Sequence, residues 1–127
     1  MTKLLIITES PGLSEFLCKL LKVYNFDVSV ASDTITLNEQ LTHFDDLILL
    51  DNMFGLEHDR KEIYHSIRKR SNVPVILLFT NSDLQKNYDG FFEGFIEKPF
   101  DIPEVLEKIK EVTDHTNAQK LQRLSQE

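Results

Sequence analysis

Hydrophobic and polar positions change pattern in blocks along the chain. Short aliphatic runs stand at "KLLIIT" (3–8), "FDVSVA" (26–31), "DLILL" (46–50), "PVILLF" (74–79) and "GFIE" (94–97). Each is bounded by polar or turn residues, which predicts five β-strands. The first, third and fourth are continuously apolar, as strands covered on both faces are. "FDVSVA" alternates and puts Phe26, Val28 and Val30 on one side, the pattern of an edge strand. Helical spacing fills the intervals. In "PGLSEFLCKLLKVY" the residues Leu13, Phe16, Leu17, Leu20, Leu21 and Tyr24 follow the i, i+3, i+4, i+7 rule. Ser10 and Pro11 read as its N-cap and first helical residue, and Cys18 falls off the stripe as a partly exposed thiol. "SDTITLNEQL" is a shorter helix opened by Ser32 or Asp33. "DRKEIYHSIRKR" carries Ile63 and Ile67 one turn apart. "DIPEVLEKIKEV" has Asp101 and Glu104 at capping-box spacing ahead of Val105, Leu106, Ile109 and Val112. "NSDLQKNYDG" is too short and polar to predict a full helix. Strands and helices in alternation predict an α/β fold, a five-stranded parallel sheet with right-handed crossovers and helices on both faces.

Length and composition narrow this further. The 127 residues suit one domain with one core, with 41% hydrophobic and 28% charged residues and only four glycines and four prolines. No apolar stretch approaches the roughly 18–20 residues that cross a bilayer, and "MTKLLIIT" lacks the apolar core and cleavage site of a signal peptide, so a cytoplasmic location without membrane contact is expected. A lone Cys18 agrees with a reducing compartment. The net charge of −7 opposes non-specific attraction to nucleic acid, and "RKR" at 68–70 reads as a solvated helix end, so no direct nucleic-acid binding is expected. His43, His58, His65 and His115 lack ligand spacing. "DHTNAQKLQRLSQE" drops in hydrophobicity after Val112; residues 1–113 form the expected domain and 114–127 a helical extension or linker.

Ligands of a parallel α/β sheet bind beyond the carboxyl ends of its strands. Those ends carry Thr8 and Glu9, then Asp51, then Phe79 and Thr80, then Glu97 and Lys98 before Pro99. Two carboxylates, a hydroxyl and an amine would converge there. Carboxylates can hold Mg²⁺ and a lysine can neutralise a phosphoryl group, the outline of a phosphoryl-transfer site.

At this point the chain resembles the receiver domain of two-component response regulators, over about residues 3 to 113. "DLILLDNMFG" resembles the strand that ends in the family's phospho-accepting aspartate, "VPVILLFT" its fourth strand and "GFIEKPF" its fifth with the lysine–proline pair. The resemblance implies a doubly wound sheet of flavodoxin-like order. It implies transfer of a phosphoryl group from a histidine kinase or phosphotransfer protein to aspartate with Mg²⁺, at most slow self-phosphorylation and self-dephosphorylation, and an output domain or downstream protein as further partner. A homodimer is a further possibility. Carried over by residue, Asp51 is the nucleophile and a Mg²⁺ ligand, Glu9 a second ligand, and Met53 a ligand through its carbonyl. Thr8 bonds a metal-bound water, Lys98 pairs with the phosphate, and an X-Pro bond after it is cis. Thr80 bonds the phosphoryl oxygen, and Phe95 stands for the family's rotating aromatic.

The chain departs from that pattern in stated places. The family has two adjacent acids at the end of the first strand where this chain has Thr8 and Glu9, so weaker Mg²⁺ binding is expected. Alignment on "PVI" puts Phe79 at the hydroxyl position, with Thr80 one place later unless a bulge or slipped register restores it. The interval from Thr80 to Lys98 is short, so a truncated or partly unwound helix is expected between the fourth and fifth strands. Phe91, Phe92 and Phe100 read as core and strand-edge packing. Two other readings stay open: a degenerate receiver serving as a phosphorylation-independent interaction or dimerisation module, and a flavodoxin-like nucleotide or flavin binder using "TESPG" at a helix start.

Overall fold

The computed structural model describes residues 2–41, 45–54, 60–80 and 92–125. Strands β1 (Lys3–Ile7), β2 (Asp27–Ala31), β3 (Leu47–Asp51), β4 (Val75–Phe79) and β5 (Gly94–Glu97) alternate with helices α1 (Pro11–Val23), α2 (Thr34–Gln40) and α3 (Arg60–Arg70), and α4 (Ile102–Ser125) closes the chain. All pairings are parallel, in the order β2-β1-β3-β4-β5. The three continuously apolar strands are the interior ones and alternating "FDVSVA" is an edge, because only an interior strand has both faces covered. The segment "NSDLQKNYDG" and Phe91 lie outside the described residues, as does the helix expected there.

Side-chain alternation splits the core into two layers. On one face Leu5, Ile7, Ile48, Leu50, Leu77 and Phe79 pack against Leu37 of α2 and Ile63, Tyr64 and Ile67 of α3. On the other, Leu4, Ile6, Leu49, Ile76 and Ile96 pack against Leu17 and Leu21 of α1 and Val105, Ile109 and Val112 of α4. Gly94 lets α4 come close: a Cβ there would stand 3.0 Å from Val112 Cγ2 and 3.2 Å from Ile76 Cγ1.

The helix ends follow local chemistry. Ser10 Oγ accepts from the Leu13 amide to open α1. At its other end Asn25 takes a left-handed backbone (φ 67°), and the Asn25 and Phe26 amides donate to the Lys22 and Leu21 carbonyls, the Schellman arrangement that turns the chain into β2. Of Ser32 and Asp33, it is Asp33 that caps α2, in a reciprocal box with Thr36. Hydrogen bonds from Thr36 hold the Asp33 carboxyl below its ordinary range.

One expectation for α1 needs correction: Phe16 and Tyr24, placed on the stripe by spacing, are exposed. Cys18 is the partly exposed thiol expected, packed at the margin of the α1–α4 layer. At 100° per residue Cys18 sits about 80° from the centre of the Leu17–Leu21 stripe and Phe16 about 120°. Tyr24 is the C-cap, where the chain turns away. Burial pushes the Cys18 thiol up from its ordinary value.

Candidate phosphoryl-transfer site

The same alternation decides which strand-end side chains meet. Thr8, Asp51 and Lys98 each lie an even number of residues beyond Ile6, Leu49 and Ile96, and so belong to the α1–α4 side of the sheet. The ladders carry on past the strands to fix them: the Thr8 amide donates to the Ala31 carbonyl at 3.0 Å, the Asn52 amide to Leu78 at 2.8 Å and the Lys98 amide to Phe79 at 2.6 Å. The Lys98–Pro99 bond is cis.

Asp51 is the hub, with 3% of its surface exposed. Its Oδ2 accepts from the Thr8 hydroxyl at 2.6 Å, and its Oδ1 accepts from the Lys98 ammonium and, at 3.1 Å, from the Met53 amide. Thr8 in turn accepts from the Ser10 amide at 3.1 Å, which ties the α1 start to the carboxylate. Both oxygens of the buried charge are thus satisfied, as burial requires.

Among the described residues the buried polar side chains are Thr8, Asp51 and Asn52, and all three stand at this one edge. Asn52 is the member that sequence reasoning missed. Its Oδ1 accepts from Lys98 Nζ at 3.2 Å and its Nδ2 donates to Thr80 Oγ1 at 3.5 Å. The available signal was an amide directly after a nucleophile candidate, in a stretch where the strand gives way to a turn over residues 52–54. A turn removes the alternation that would have pointed it away.

The other candidates divide. Thr80 is exposed and approaches Asn52, and the pairing from Ile48↔Val75 to Asp51↔Leu78 and on to Phe79↔Glu97 is regular, with no bulge. No bulge or slip restores Thr80 to the Phe79 position, so Phe79 stands where alignment on "PVI" puts it. Phe79 points into the α2–α3 layer, edge-on to Phe95 with ring centres 6.1 Å apart, and Phe95 meets Phe92 in the same way at 6.0 Å. Phe95 therefore sits in an aromatic stack on the far face from Lys98. Glu9 is exposed in the bend after Thr8, and Met53 is exposed with its backbone against Asp51.

Asp51, Glu9 and the Met53 carbonyl are hard oxygen donors of the kind Mg²⁺ takes, which usually rests on one or two carboxylates plus waters. The donor set fits that ion at the lower end of its range. The Thr8 hydroxyl is committed to Asp51 and Ser10, and among the described residues no group of three or more His, Cys, Asp or Glu gathers as a metal site.

Comparison with known proteins agrees with this fold. No family model matches the chain. Response regulator ArlR of Staphylococcus aureus is 35% identical over 120 residues, covering 88% of this chain and 52% of that protein, so the chain spans about half the length of the curated relative it matches. A two-component response regulator from Clostridium difficile superposes with a TM-score of 0.81 at 18% identity, covering 92% of this chain and 99% of that one. The chemotaxis response regulator CheY4 of Vibrio cholerae gives 0.78 at 20% identity, over 88% and 98%. These structural likenesses carry the fold. No described helix is long and apolar enough to cross a membrane. With ArlR 35% identical over 88% of this chain and the flavodoxin-like sheet order shared with these solved structures, the likeness supports a receiver domain of the response-regulator kind.

Proposed function

We propose that this domain is a phosphorylatable switch in which Asp51 accepts a phosphoryl group from the phosphohistidine of a histidine kinase or phosphotransfer protein. The observation that supports it most is the gathering of the buried polar side chains at the end of β1 and β3, with Lys98 paired to the Asp51 carboxylate. An Asp51 oxygen forms a bond to phosphorus as the bond from phosphorus to the donor imidazole nitrogen breaks, and that nitrogen keeps the electron pair. Lys98, already beside Oδ1, balances charge on the phosphoryl oxygens, and Thr80 supplies a hydroxyl at the rim. Of the two carboxylate oxygens, Oδ2 is the easier to free, since one hydroxyl holds it against two donors on Oδ1. Water later cleaves the acyl phosphate and returns Asp51 and inorganic phosphate. Mg²⁺, when bound by Asp51, Glu9 and the Met53 carbonyl, supplies the positive charge that lets an anionic donor approach a carboxylate. The last helix runs on past residue 113 to Ser125, and the switch acts on an output domain or downstream protein in the cytoplasm.

The decisive measurement is intact mass after incubation with Mg²⁺ and acetyl phosphate, for wild type and Asp51→Asn. An acid-labile phosphate adduct on wild type that is absent from D51N is expected. An adduct surviving D51N would make Asp51 the wrong nucleophile. The hydrogen bond from Thr8 where a second acid would stand favours one other reading, a receiver that works through interaction or dimerisation without phosphate. No adduct on wild type, from acetyl phosphate or a kinase, would establish that reading in place of the first.

A further inference from the structure

We infer that Asn52 is a positioning residue of this site, one that holds the Lys98 ammonium on one side and the Thr80 hydroxyl on the other and so links the state of Asp51 to the residue that follows β4. The inference rests on the phosphoacceptor reading and adds to it a residue and a route.

Asn52 is 2% exposed although it follows the last residue of a strand, and its backbone is fixed by the 2.8 Å bond from its amide to Leu78 on β4. A buried side-chain amide is kept where its donors and acceptor are met, and among the described residues every buried side-chain nitrogen and oxygen has a partner. The chemistry fixes the orientation of the amide. Lys98 offers only donors, so Oδ1 must face it, which turns Nδ2 toward Thr80. The ammonium is thereby shared between the Asp51 carboxylate and the Asn52 carbonyl oxygen. A phosphoryl group on Asp51 moves negative charge outward from the carboxylate and draws the ammonium with it. The hold of Lys98 on the Asn52 Oδ1 then loosens, and the Nδ2 contact to Thr80 shifts with it. The contact at 3.5 Å is long for a hydrogen bond, which suits a contact that is made and broken. An apolar side chain at this position would leave Lys98 and Thr80 uncoupled.

The test uses the whole chain, with Asn52→Leu to remove both hydrogen bonds at similar volume and Asn52→Asp to replace the amide by a competing carboxylate. Labelling by acetyl phosphate with Mg²⁺ is followed by intact mass, and the Thr80 amide resonance is followed by NMR before and after labelling. Wild type is expected to label and to move the Thr80 resonance. N52L is expected to label about tenfold more slowly, the effect of one charge-assisted hydrogen bond, and to move the Thr80 resonance less than wild type does. N52D is expected to label more slowly than N52L, because its carboxylate takes Lys98 away from Asp51. Were Asn52 only a packing residue, the labelled N52L protein would move Thr80 as wild type does, and that result overturns the inference. So does N52D labelling at the wild-type rate, which applies even if N52L does not fold. Failure of wild type to label at all refutes the phosphoacceptor reading itself and is seen before either variant is made.

Discussion

Removing the two partners of the Asp51–Lys98 pair one at a time should have unequal consequences. The Asp51 side chain is 3% exposed and the Lys98 side chain 19%, so the carboxylate depends on protein for its solvation and the ammonium reaches water. Lys98→Met leaves a buried charge held by the Thr8 hydroxyl and the Met53 amide alone. Stranding a buried charge costs about 3–5 kcal/mol, and the partly exposed rim of this site lowers that to about 2–3 kcal/mol. Asp51→Asn removes the charge. Thr8 can still donate to the new carbonyl, and Lys98 keeps the Asn52 carbonyl oxygen and water, so the cost is about 1 kcal/mol or less. With a urea slope of about 1.5 kcal/mol/M, K98M lowers the unfolding midpoint by about 1.3–2 M and D51N by about 0.7 M or less. The sharper form of the prediction is a sign reversal: D51N introduced into K98M should raise the midpoint, since it removes the stranded charge. The assay is equilibrium urea unfolding at pH 7 followed by far-UV circular dichroism, with all four proteins at one ionic strength. If K98M and D51N have equal midpoints within about 0.3 M and D51N brings K98M no gain, the pair does not carry the burial of Asp51. The charge network of the resting site would then be misassigned.

Three further outcomes are expected. Thr8→Asp replaces the 2.6 Å hydrogen bond to Asp51 by a second carboxylate; it should destabilise the metal-free protein by up to roughly 4 kcal/mol, and added Mg²⁺ should raise its melting temperature more than it raises that of wild type, with equal metal responses counting against the site. The Asp33 carboxyl is held low by Thr36, so it contributes stability above its ordinary value of 3.8 and loses it as pH falls through the lowered one; the advantage of wild type over Asp33→Asn should be constant near neutrality and close in acid, as melting temperatures across pH would show. Arg68 joins α3 to the start of the sheet, donating to Tyr64, to the Val73 carbonyl and to both oxygens of Glu93 at 2.5 and 2.7 Å, while Glu93 accepts from the Val75 amide. Arg68→Met should cost about 1.5–3 kcal/mol in urea unfolding and leave labelling of Asp51 unchanged, since none of these contacts is at the carboxyl ends of the strands.

The sequence by itself determined the layers and most of the elements, because both are written in local periodicity. Continuous runs marked β1, β3 and β4 as interior and the alternation of β2 as edge; Ser10 and Pro11 opened α1, and Asp51, Thr8 and Lys98 could be placed at strand ends by counting. Tertiary structure decided what counting along one segment does not contain. Only the parallel register shows that Thr8 and Asp51 lie side by side, so that a hydroxyl stands bonded to the carboxylate. Only the regular β4 pairing shows that Phe79 belongs to the opposite layer. The exposure of Phe16 depends on how α1 is rotated against the sheet, a property of packing and not of spacing. Asn52 is the clearest case, since its role comes from a turn that folds it back between Lys98 and Thr80, residues 46 and 28 positions away. Periodicity reports which face a residue takes within its own element; a buried hydrogen-bond network joins ends of different elements, and its partners exist only once those elements are side by side.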